Sequence, residues 1–429
     1  MEKLNEDFII NLSNNKGEPL WMKNFRLNSY KKFLELDNPS FGPKINIDFD
    51  NLVYHKGLFA PPSCSWENVD KKVKNTFNDL GVIEAENKYL KGVSNQYESE
   101  VVYHKMEESD GIIFLSTDEA LKKYPELFEK YFNNLVKYDE NKYTALNGAL
   151  WSGGSFIYIP PYTKVDRPLQ SYFRIDTKNL GQFERTIIIV DHDSSLHYIE
   201  GCTAKNYSTT SLHAGVVEIY VGKNSSCKYS TIQNWSKDVY NLVTKRAILE
   251  EGSYMQWVDG NIGSGVTMKY PSCILKGDNS KASSISIAYA KEGQHLDAGA
   301  KMIHLGKNTK STIISKSIAG FGGTSDYRGT VKIVKDATGS FATIKCDNII
   351  LDNISSSNTY PKNIVENNES TLEHEATISK INEEKLNYLM SLGISEDAAK
   401  DLYVLGFMSD FKKSLPMEYA VELNRLIKE

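Results

Sequence analysis

The segment TLEHEATISK (371–380) places a histidine between two glutamates, Glu373-His374-Glu375, near the end of a 429-residue chain. Written as a strand it alternates: Thr371, Glu373, Glu375 and Thr377 face one way, Leu372, His374, Ala376 and Ile378 the other. Taken alone, this is a surface strand with solvated carboxylates and one histidine satisfied on an apolar face. Cys346 lies about one repeat upstream, so its thiol and the Glu-His-Glu element can occupy neighbouring coils. A thiolate, carboxylates and an imidazole together suit iron or zinc. Alternation separates His374 from the glutamates, so a single coil pair does not supply four ligands. A site shared between two subunits does.

The other thiols narrow the chemistry. Cys64, Cys202, Cys227, Cys273 and Cys346 are far apart and form no CxxC pair, which removes zinc ribbons and thioredoxin-like motifs. The start, MEKLNEDFIINLS, has no basic region followed by an apolar core, so no secretory signal is expected. An odd, scattered cysteine set in such a chain reads as reduced thiols in a cytosol-like compartment. Most of them act as small buried hydrophobes, and one or two are reactive. No window reaches about 18 uninterrupted apolar residues, so no transmembrane helix is expected. A net charge of -5 argues against general nucleic-acid binding.

The frame for these residues comes from a repeat. From residue 155 to 350, β-branched and aromatic residues alternate with small polar ones, and turn signals recur. They are IPPYT at 159, DHDSS at 191, GKNSS at 222, EEGSY at 250, KGDNS at 276, GKNTK at 306 and DATGS at 336. Successive starts are roughly 25 to 32 residues apart, the mark of a solenoid. With strands and no intervening helices, a parallel β-helix is the economical architecture. The competing β-sandwich needs turns about every 8 to 12 residues.

The flanks are helical. Residues 18–36 read as an amphipathic helix burying Trp21, Phe25, Tyr30, Phe33 and Leu34, and 118–136 as a second helix interrupted or restarted at Pro125. Between 37 and 66 the chain is loop-rich, and GIIFLS (111–116) is a short strand. After Lys380 the period becomes helical, giving three helices with Gly393 as a stop, Ser395 with Glu396 and Asp397 as a start, and Pro416 in the first turn of the third. Leu402, Phe407, Met408, Phe411, Leu415, Tyr419 and Val421 exceed what this appendage needs for its own core, which leaves core packing or a docking face as readings. Ser195, Ser226 and Ser340 end equivalent turns, and Cys202, Gln233 and Cys346 follow six or seven residues later. Stacked coils would set these three in a rough column, with Trp235 adjacent, and a one-residue slip would exchange inside and outside.

At these residues a family resemblance emerges. YIEGCTA (198–204), LHAGVVEIYV (212–221), TIQNW (231–235), NLVTKRA (241–247), KYPSCILKGDNS (269–280), KMIHLGKNTKSTIISK (301–316), YRG (327–329) and the series CDN, NTYP, LEHEAT and SKI carry it. They strongly resemble the SufB branch of the SufB/SufD family, the scaffold of the SUF iron–sulfur cluster assembly system. EPLWMKNFRLNSY at the start and LPMEYAVELNRL at the end extend the likeness over nearly the whole chain.

The resemblance implies a mainly helical domain over 1–150, a right-handed parallel β-helix over 151–378, and a helical domain over 379–429 that docks the ABC-type ATPase SufC. It implies a scaffold without turnover of its own, with ATP used only through SufC, no nucleic acid and no membrane. A nascent [4Fe-4S] or [2Fe-2S] cluster would be built on Cys346, with Glu375 as second ligand and Glu373 and His374 at neighbouring functional positions. Cys202 would accept persulfide sulfur from the sulfur-transfer proteins of a cysteine desulfurase. Arg174, Gln233, Trp235 and Lys245 match residues proposed to line the sulfur route, and reduced flavin has a place as reductant. The partner β-helix is SufD or a second copy of this chain, and the compartment is the cytoplasm, or the stroma in a plastid-bearing source.

Two departures stand out. Only Cys64 of PSCSWENVD remains where many members carry a cysteine-rich cluster, and Asp176 stands where Asn is frequent. The other functional classes are a SufD-like structural subunit, which lacks the full set of Cys346 with Glu373-His374-Glu375, and a β-helix polysaccharide lyase or hydrolase. The latter needs charged clusters in an outer groove and an export signal. Cys202 and Cys346 are about five repeats apart, so at roughly 4.8 Å per coil about 24 Å separates them and sulfur must be relayed.

Overall fold

The computed structural model describes residues 3–57, 59–80, 82–107, 111–204, 210–381 and 383–412. From Ser155 onward the chain winds into a parallel β-helix of about eight turns, each contributing one strand to each of two long sheets. The ten-stranded sheet carries Leu169–Ile175, Ser195–Ala204, Ser226–Asn234, Tyr254–Ile262, Lys281–Ala290, Lys310–Ala319, Phe341–Ile350 and Thr371–Lys380 in stacking order. The facing twelve-stranded sheet runs from Ser155–Ile159 to Ser356–Val365. Between neighbours the pairing is parallel and in register over whole strands, so each inward side chain sits on the inward side chain of the coil before.

The turn signals are where expected, and they share one backbone device. Asp193, Asn224, Gly252, Asn279, Asn308 and Gly339 all have φ between 55° and 67°, one per coil. Left-handed backbone favours Gly, Asn and Asp. A buried Ser or Thr follows each: Ser194, Ser225, Ser253, Ser280, Thr309 and Ser340. Several of their hydroxyls bond turn to turn, as in Ser194 N–H to Ser225 Oγ (2.9 Å) and Thr309 Oγ1 to Ser340 Oγ (2.7 Å), while those of Ser253 and Ser280 close their own turns on the Glu250 and Gly277 carbonyls. That repeated pair is the physical content of the period read in the sequence.

One end of the solenoid is closed. A hairpin, Gly92–Tyr97 with Glu100–Met106, adds its first strand in parallel to Leu169–Ile175, and Ile113–Ser116 pairs antiparallel with Ser155–Ile159. The strand at 113–116 was expected from sequence; the hairpin was not. At the other end Thr371–Lys380 and Ser356–Val365 each pair on one side only among the described residues, leaving two ten-residue edges. Such edges bind further strands unless covered.

The helical flanks follow the sequence with local corrections. Leu20–Glu35 is a helix, and Thr117–Lys123 gives way to Pro125–Tyr131 at the proline. The helices Glu6–Lys16, Lys71–Asp79 and Val82–Tyr89 were not anticipated. The buried face of Leu20–Glu35 is Met22, Arg26, Ser29, Tyr30 and Phe33, whereas Leu34 is exposed and Trp21 and Phe25 are half-buried. Arg26 sets that phase. Its guanidinium takes Glu18 at 2.7 and 2.6 Å and bonds the carbonyls of Ala149 (3.1 Å) and Trp151 (2.9 Å), which end the helix Lys142–Leu150.

At the C-terminal side Glu383–Ser391 stops before Gly393 (φ 84°), and Glu396–Phe407 starts from Ser395, whose Oγ accepts the Ala398 N–H. A break after Phe407 separates a short helix, Ser409–Lys412, from what the sequence reads as one element. Val404, Met408 and Phe411 pack on the outer face of the ten-stranded sheet against Ile232, Val258 and Ile287. Met408 and Phe411 are therefore core, while Leu402 is half exposed. Leu415, Pro416, Tyr419 and Val421 lie outside the described residues.

The turn device is testable at Gly339, whose added Cβ would stand 2.4 Å from Asn308 Oδ1 on top of an unfavourable φ of 67°. Gly339→Val should lower the unfolding free energy by at least about 1–2 kcal/mol in denaturant titrations. An unchanged midpoint would show that the ladder does not constrain this turn.

Candidate functional site

Parity along the strands decides which side chains enter the solenoid. Leu196, Tyr198, Glu200 and Cys202 point inward with Tyr229, Thr231 and Gln233 of the next coil, as the apolar core and the register require. Glu200, Thr231, Asp259, Ser286, Ser315 and Cys346 are register partners in succession, and all are buried. Cys202 heads the neighbouring column, followed by Gln233, Asn261, Ala288, Ser317 and Asn348. Cys202 and Gln233 thus share a column as expected. Cys346 does not: Phe341, not Ser340, matches Ser195 and Ser226, which moves Cys346 by two residues and keeps it on the inward face.

Around Cys202 the interior is charged. Its Sγ lies 3.7 Å from Glu200 Oε1, which also takes Lys245 Nζ at 3.3 Å, while the Tyr229 hydroxyl donates to Glu200 Oε2. One coil on, Lys269 Nζ pairs with Asp259 Oδ1 (2.8 Å) and donates to Gln233 Oε1 (3.1 Å). Thr231 Oγ1 donates to the same Asp259 oxygen at 2.6 Å. Burying ions costs several kcal/mol each, and only a closed network offsets it. Burial, and then the Glu200 and Glu184 carboxylates, push the Cys202 thiol well above its ordinary range. Lys245 stays protonated because Glu200 and Asp259 outweigh its burial.

Toward Cys346 the path loses charge. Ser286 Oγ donates to Ser315 Oγ (3.2 Å), and the Oγ atoms of Ser284 and Ser325 have no partner among the described residues. Cys346 is fully buried, and burial pushes its thiol up to about 12, with the Tyr327 hydroxyl partly offsetting this. Tyr327 stands in the facing column with Lys269 and Ala298.

The Glu-His-Glu strand pairs with Phe341–Ile350 so that Glu375 neighbours Lys345 and Cys346 neighbours Ala376. Glu373 and Glu375 are exposed on the outer face, and Glu375 reaches Lys345 Nζ at 3.7 Å. His374 shares the inward face, bonded through Nδ1 to Asn363 (3.0 Å), with Nε2 buried and without a partner among the described residues. Burial lowers its pKa. One chain therefore sets Cys346 and Glu375 on opposite faces of adjacent strands. No cluster of three or more His, Cys, Asp or Glu able to hold a metal occurs among the described residues.

The route residues divide as well. Gln233, Trp235 and Lys245 are buried with Cys202, whereas Arg174 lies on the outer face, paired with Asp176 (2.7 Å) and Thr203 Oγ1 (2.7 Å). Asp176 also accepts from the Tyr97 hydroxyl (3.1 Å), so the departure at this position forms an ion pair. Sequence reasoning missed Glu200, Asp259, Lys269 and Tyr327. Three of them carried a readable signal: a charge at the inward parity of an apolar strand, as in YIEGC, VDGN and TMKY.

Residues 173–407 match the family described as "SUF system FeS cluster assembly, SufBD core domain", and 68–171 match "SufBD protein N-terminal region". The chain belongs to the SufBD family of iron–sulfur cluster assembly proteins. It is 53% identical over 429 residues to the iron–sulfur cluster assembly protein SufB of Bacillus subtilis, covering 99% of this chain and 92% of that one. SufBD family proteins of Staphylococcus saprophyticus and Staphylococcus aureus are 54% identical over the same span and shares. Among the described residues no helix is long and apolar enough to cross a membrane.

Within this SufBD chain four cysteines are buried and Cys64 is exposed. In the folded protein a maleimide should modify Cys64 alone, and Cys202, Cys227, Cys273 and Cys346 only after denaturation, as counted by intact mass. Rapid labelling of Cys346 in the native chain would contradict its burial.

Proposed function

We propose that this chain is the scaffold on which sulfur and iron are combined into a nascent iron–sulfur cluster. Cys202 accepts sulfur from the persulfide of a desulfurase-derived carrier, and the cluster forms at Cys346 with Glu375 as second ligand and Glu373 and His374 beside it. The observation that carries this reading is the polar column inside an otherwise apolar solenoid, running from Glu200 beside Cys202 through Ser286 and Ser315 to Cys346. A structural β-helix has no use for buried lysines and carboxylates, and perturbed buried groups gather at functional sites. Gln233, Trp235 and Lys245 line the start of that route, and Arg174 acts at its outer mouth.

The sulfur step is an exchange. The Cys202 sulfur attacks the outer sulfur of the donor, the donor's S–S bond breaks, and the Cys202 proton leaves with the donor thiol. Sulfane sulfur becomes sulfide only with two electrons, for which reduced flavin is a suitable source. The cluster, [4Fe-4S] or [2Fe-2S], is cargo.

Two partners follow from the same reasoning. The unpaired edges 356–365 and 371–380 accept a second β-helix, SufD or another copy of this chain, whose residues would complete the ligand set that one chain leaves split between two faces. The helical domain 379–429 docks the ABC-type ATPase SufC, which supplies ATP hydrolysis to a cytoplasmic scaffold with no turnover of its own. The three domains of this reading are 1–150, 151–378 and 379–429.

Separate assays test the two cysteines. Cys202→Ser should block sulfur delivery from the physiological donor yet permit cluster formation from free sulfide and ferrous iron under anaerobic conditions. Cys346→Ser should fail in both, and Glu375→Ala should retain far less iron and sulfide than Glu373→Ala. A Cys346→Ser chain that holds iron and sulfide like the unaltered one would disprove the site.

Deletion of 381–429 should abolish co-purification with the ATPase while the circular dichroism of the β-helix is preserved. Full recovery of ATPase by the truncated chain would place the docking face elsewhere.

A further inference from the structure

Behind Cys202 a line of buried side chains joins the two sheets. Glu184 Oε1 meets His213 Nε2 at 2.7 Å, and His213 Nδ1 meets Asn241 Oδ1 at 2.8 Å. Asn241 Nδ2 donates to Gln233 Oε1 at 2.8 Å, and Lys269 Nζ donates to that same oxygen at 3.1 Å. Each of the five residues is at most 2% exposed.

The direction of every bond in this line is dictated by its ends. Burial lowers the Lys269 pKa and the paired Asp259 carboxylate opposes this; as the ammonium of that ion pair Lys269 has no acceptor, so the Gln233 atom facing it is the carbonyl oxygen. Asn241 must then offer that oxygen its NH2 and turn its own carbonyl to His213. His213 donates from Nδ1 to Asn241 and from Nε2 to the Glu184 carboxylate, so it is an imidazolium. Burial disfavours that charge, and the adjacent Glu184 outweighs it. Glu200 is the other carboxylate acting on the ring.

What remains at the end of the line is a free donor. Gln233 Nε2 is buried with no partner among the described residues, and so is Trp235 Nε1, two residues along. The Trp235 ring lies 4.7 Å from His213 and packs in one cluster with Cys202. Gln233 is the direct register partner of Cys202. Two unpaired N–H groups beside a thiol, near the ammonium groups of Lys245 and Lys269, suit a small soft anion.

We propose that Gln233 Nε2 and Trp235 Nε1 form a two-donor cradle for the ionised outer sulfur of a persulfide on Cys202, and that Glu184, His213 and Asn241 are positioning residues that hold the Gln233 amide in its donor orientation. The proposal rests on the reading of Cys202 as sulfur acceptor. The exchange it serves is R–S–S⁻ plus Cys202–SH giving R–SH plus Cys202–S–S⁻. The donor's S–S bond and the Cys202 S–H bond break, a new S–S bond forms, the proton goes to the donor thiolate, and the single negative charge ends on the cradled sulfur. No net oxidation or reduction occurs.

Asn241→Asp is the discriminating variant, because it keeps size and removes the NH2 donor. The new carboxylate would draw the Gln233 NH2 toward itself and away from the cradle, against the hold of Lys269 on the carbonyl oxygen. The full chain, purified with its native partners, is treated anaerobically with glutathione persulfide, and the persulfide on Cys202 is counted by alkylation and peptide mass spectrometry. Asn241→Asp and Trp235→Phe should each lower Cys202 occupancy about tenfold or more, as expected for lost hydrogen bonds to a charged sulfur. The circular dichroism of both variants should match that of the unaltered chain, which a general structural defect would not allow. Unaltered occupancy in Trp235→Phe overturns the cradle, and does so even if Asn241→Asp fails to fold. A loss confined to Trp235→Phe overturns the positioning role of the line. Absence of persulfide on Cys202 in the unaltered chain overturns the cradle together with the parent reading, whereas failure of the cradle alone leaves that occupancy intact.

Discussion

In-register stacking of parallel coils is the constraint from which the rest of this structure follows. Each inward side chain rests on the one a coil earlier, about 4.8 Å away, so a residue type admitted inside must find its partners in the coils directly above and below. Apolar columns satisfy this by packing, as Leu196, Cys227, Met255, Ala282, Ser311 and Ala342 show down one stack. Polar columns satisfy it only by hydrogen bonding along the axis. The turn hydroxyls of Ser225, Thr309 and Ser340 do this, and so do Thr231 with Asp259 and Ser286 with Ser315. An interior polar group that no neighbour completes is therefore conspicuous here. Among the described residues, Gln233 Nε2, Trp235 Nε1 and Asp259 Oδ2 are such groups in the coils next to Cys202.

The same stacking leaves the two ends unequal. A hairpin and an antiparallel strand close the first coil, while the last coil shows its backbone edges and part of its inward face, including His374. Strand alternation puts Cys346 inside and Glu375 outside, and no rotamer of either carries it through the sheet. Among the described residues the solenoid is closed at one end and leaves strand edges open at the other. Val404, Met408 and Phe411 of the C-terminal helices pack on the outer face of the ten-stranded sheet.

Burial also sets the resting chemistry. Both Cys202 and Cys346 are held as thiols, Cys202 by desolvation with two carboxylates near it and Cys346 by desolvation alone in the main. A protonated, enclosed thiol is protected from oxidation and poorly nucleophilic. Each would therefore need a change in its surroundings to become a reactive thiolate.

Much of this was legible in the sequence because it depends on local periodicity. The αL turn followed by Ser or Thr repeats in the letters themselves, from DHDSS to DATGS, and the β-helix follows from it; so do the helix break at Pro125 and the stop at Gly393. The register was not legible. A shift of one residue at Ser340 and another in the count to Cys346 separated the two cysteines into adjacent columns, and strings of apolar and polar letters do not distinguish such offsets because parity is preserved. Nor could the letters reveal that Arg26 rather than Trp21 faces the core, since its partners, Glu18 and the carbonyls of Ala149 and Trp151, include groups far along the chain. The ion network of Glu200, Lys245, Asp259 and Lys269 is of the same kind: each charge is tolerable inside only because residues of other coils complete it. The sequence by itself determined which segments coil and where they turn, since backbone preference acts within a few residues. The tertiary structure alone decided which side chains meet inside, because that depends on the register between coils some thirty residues apart.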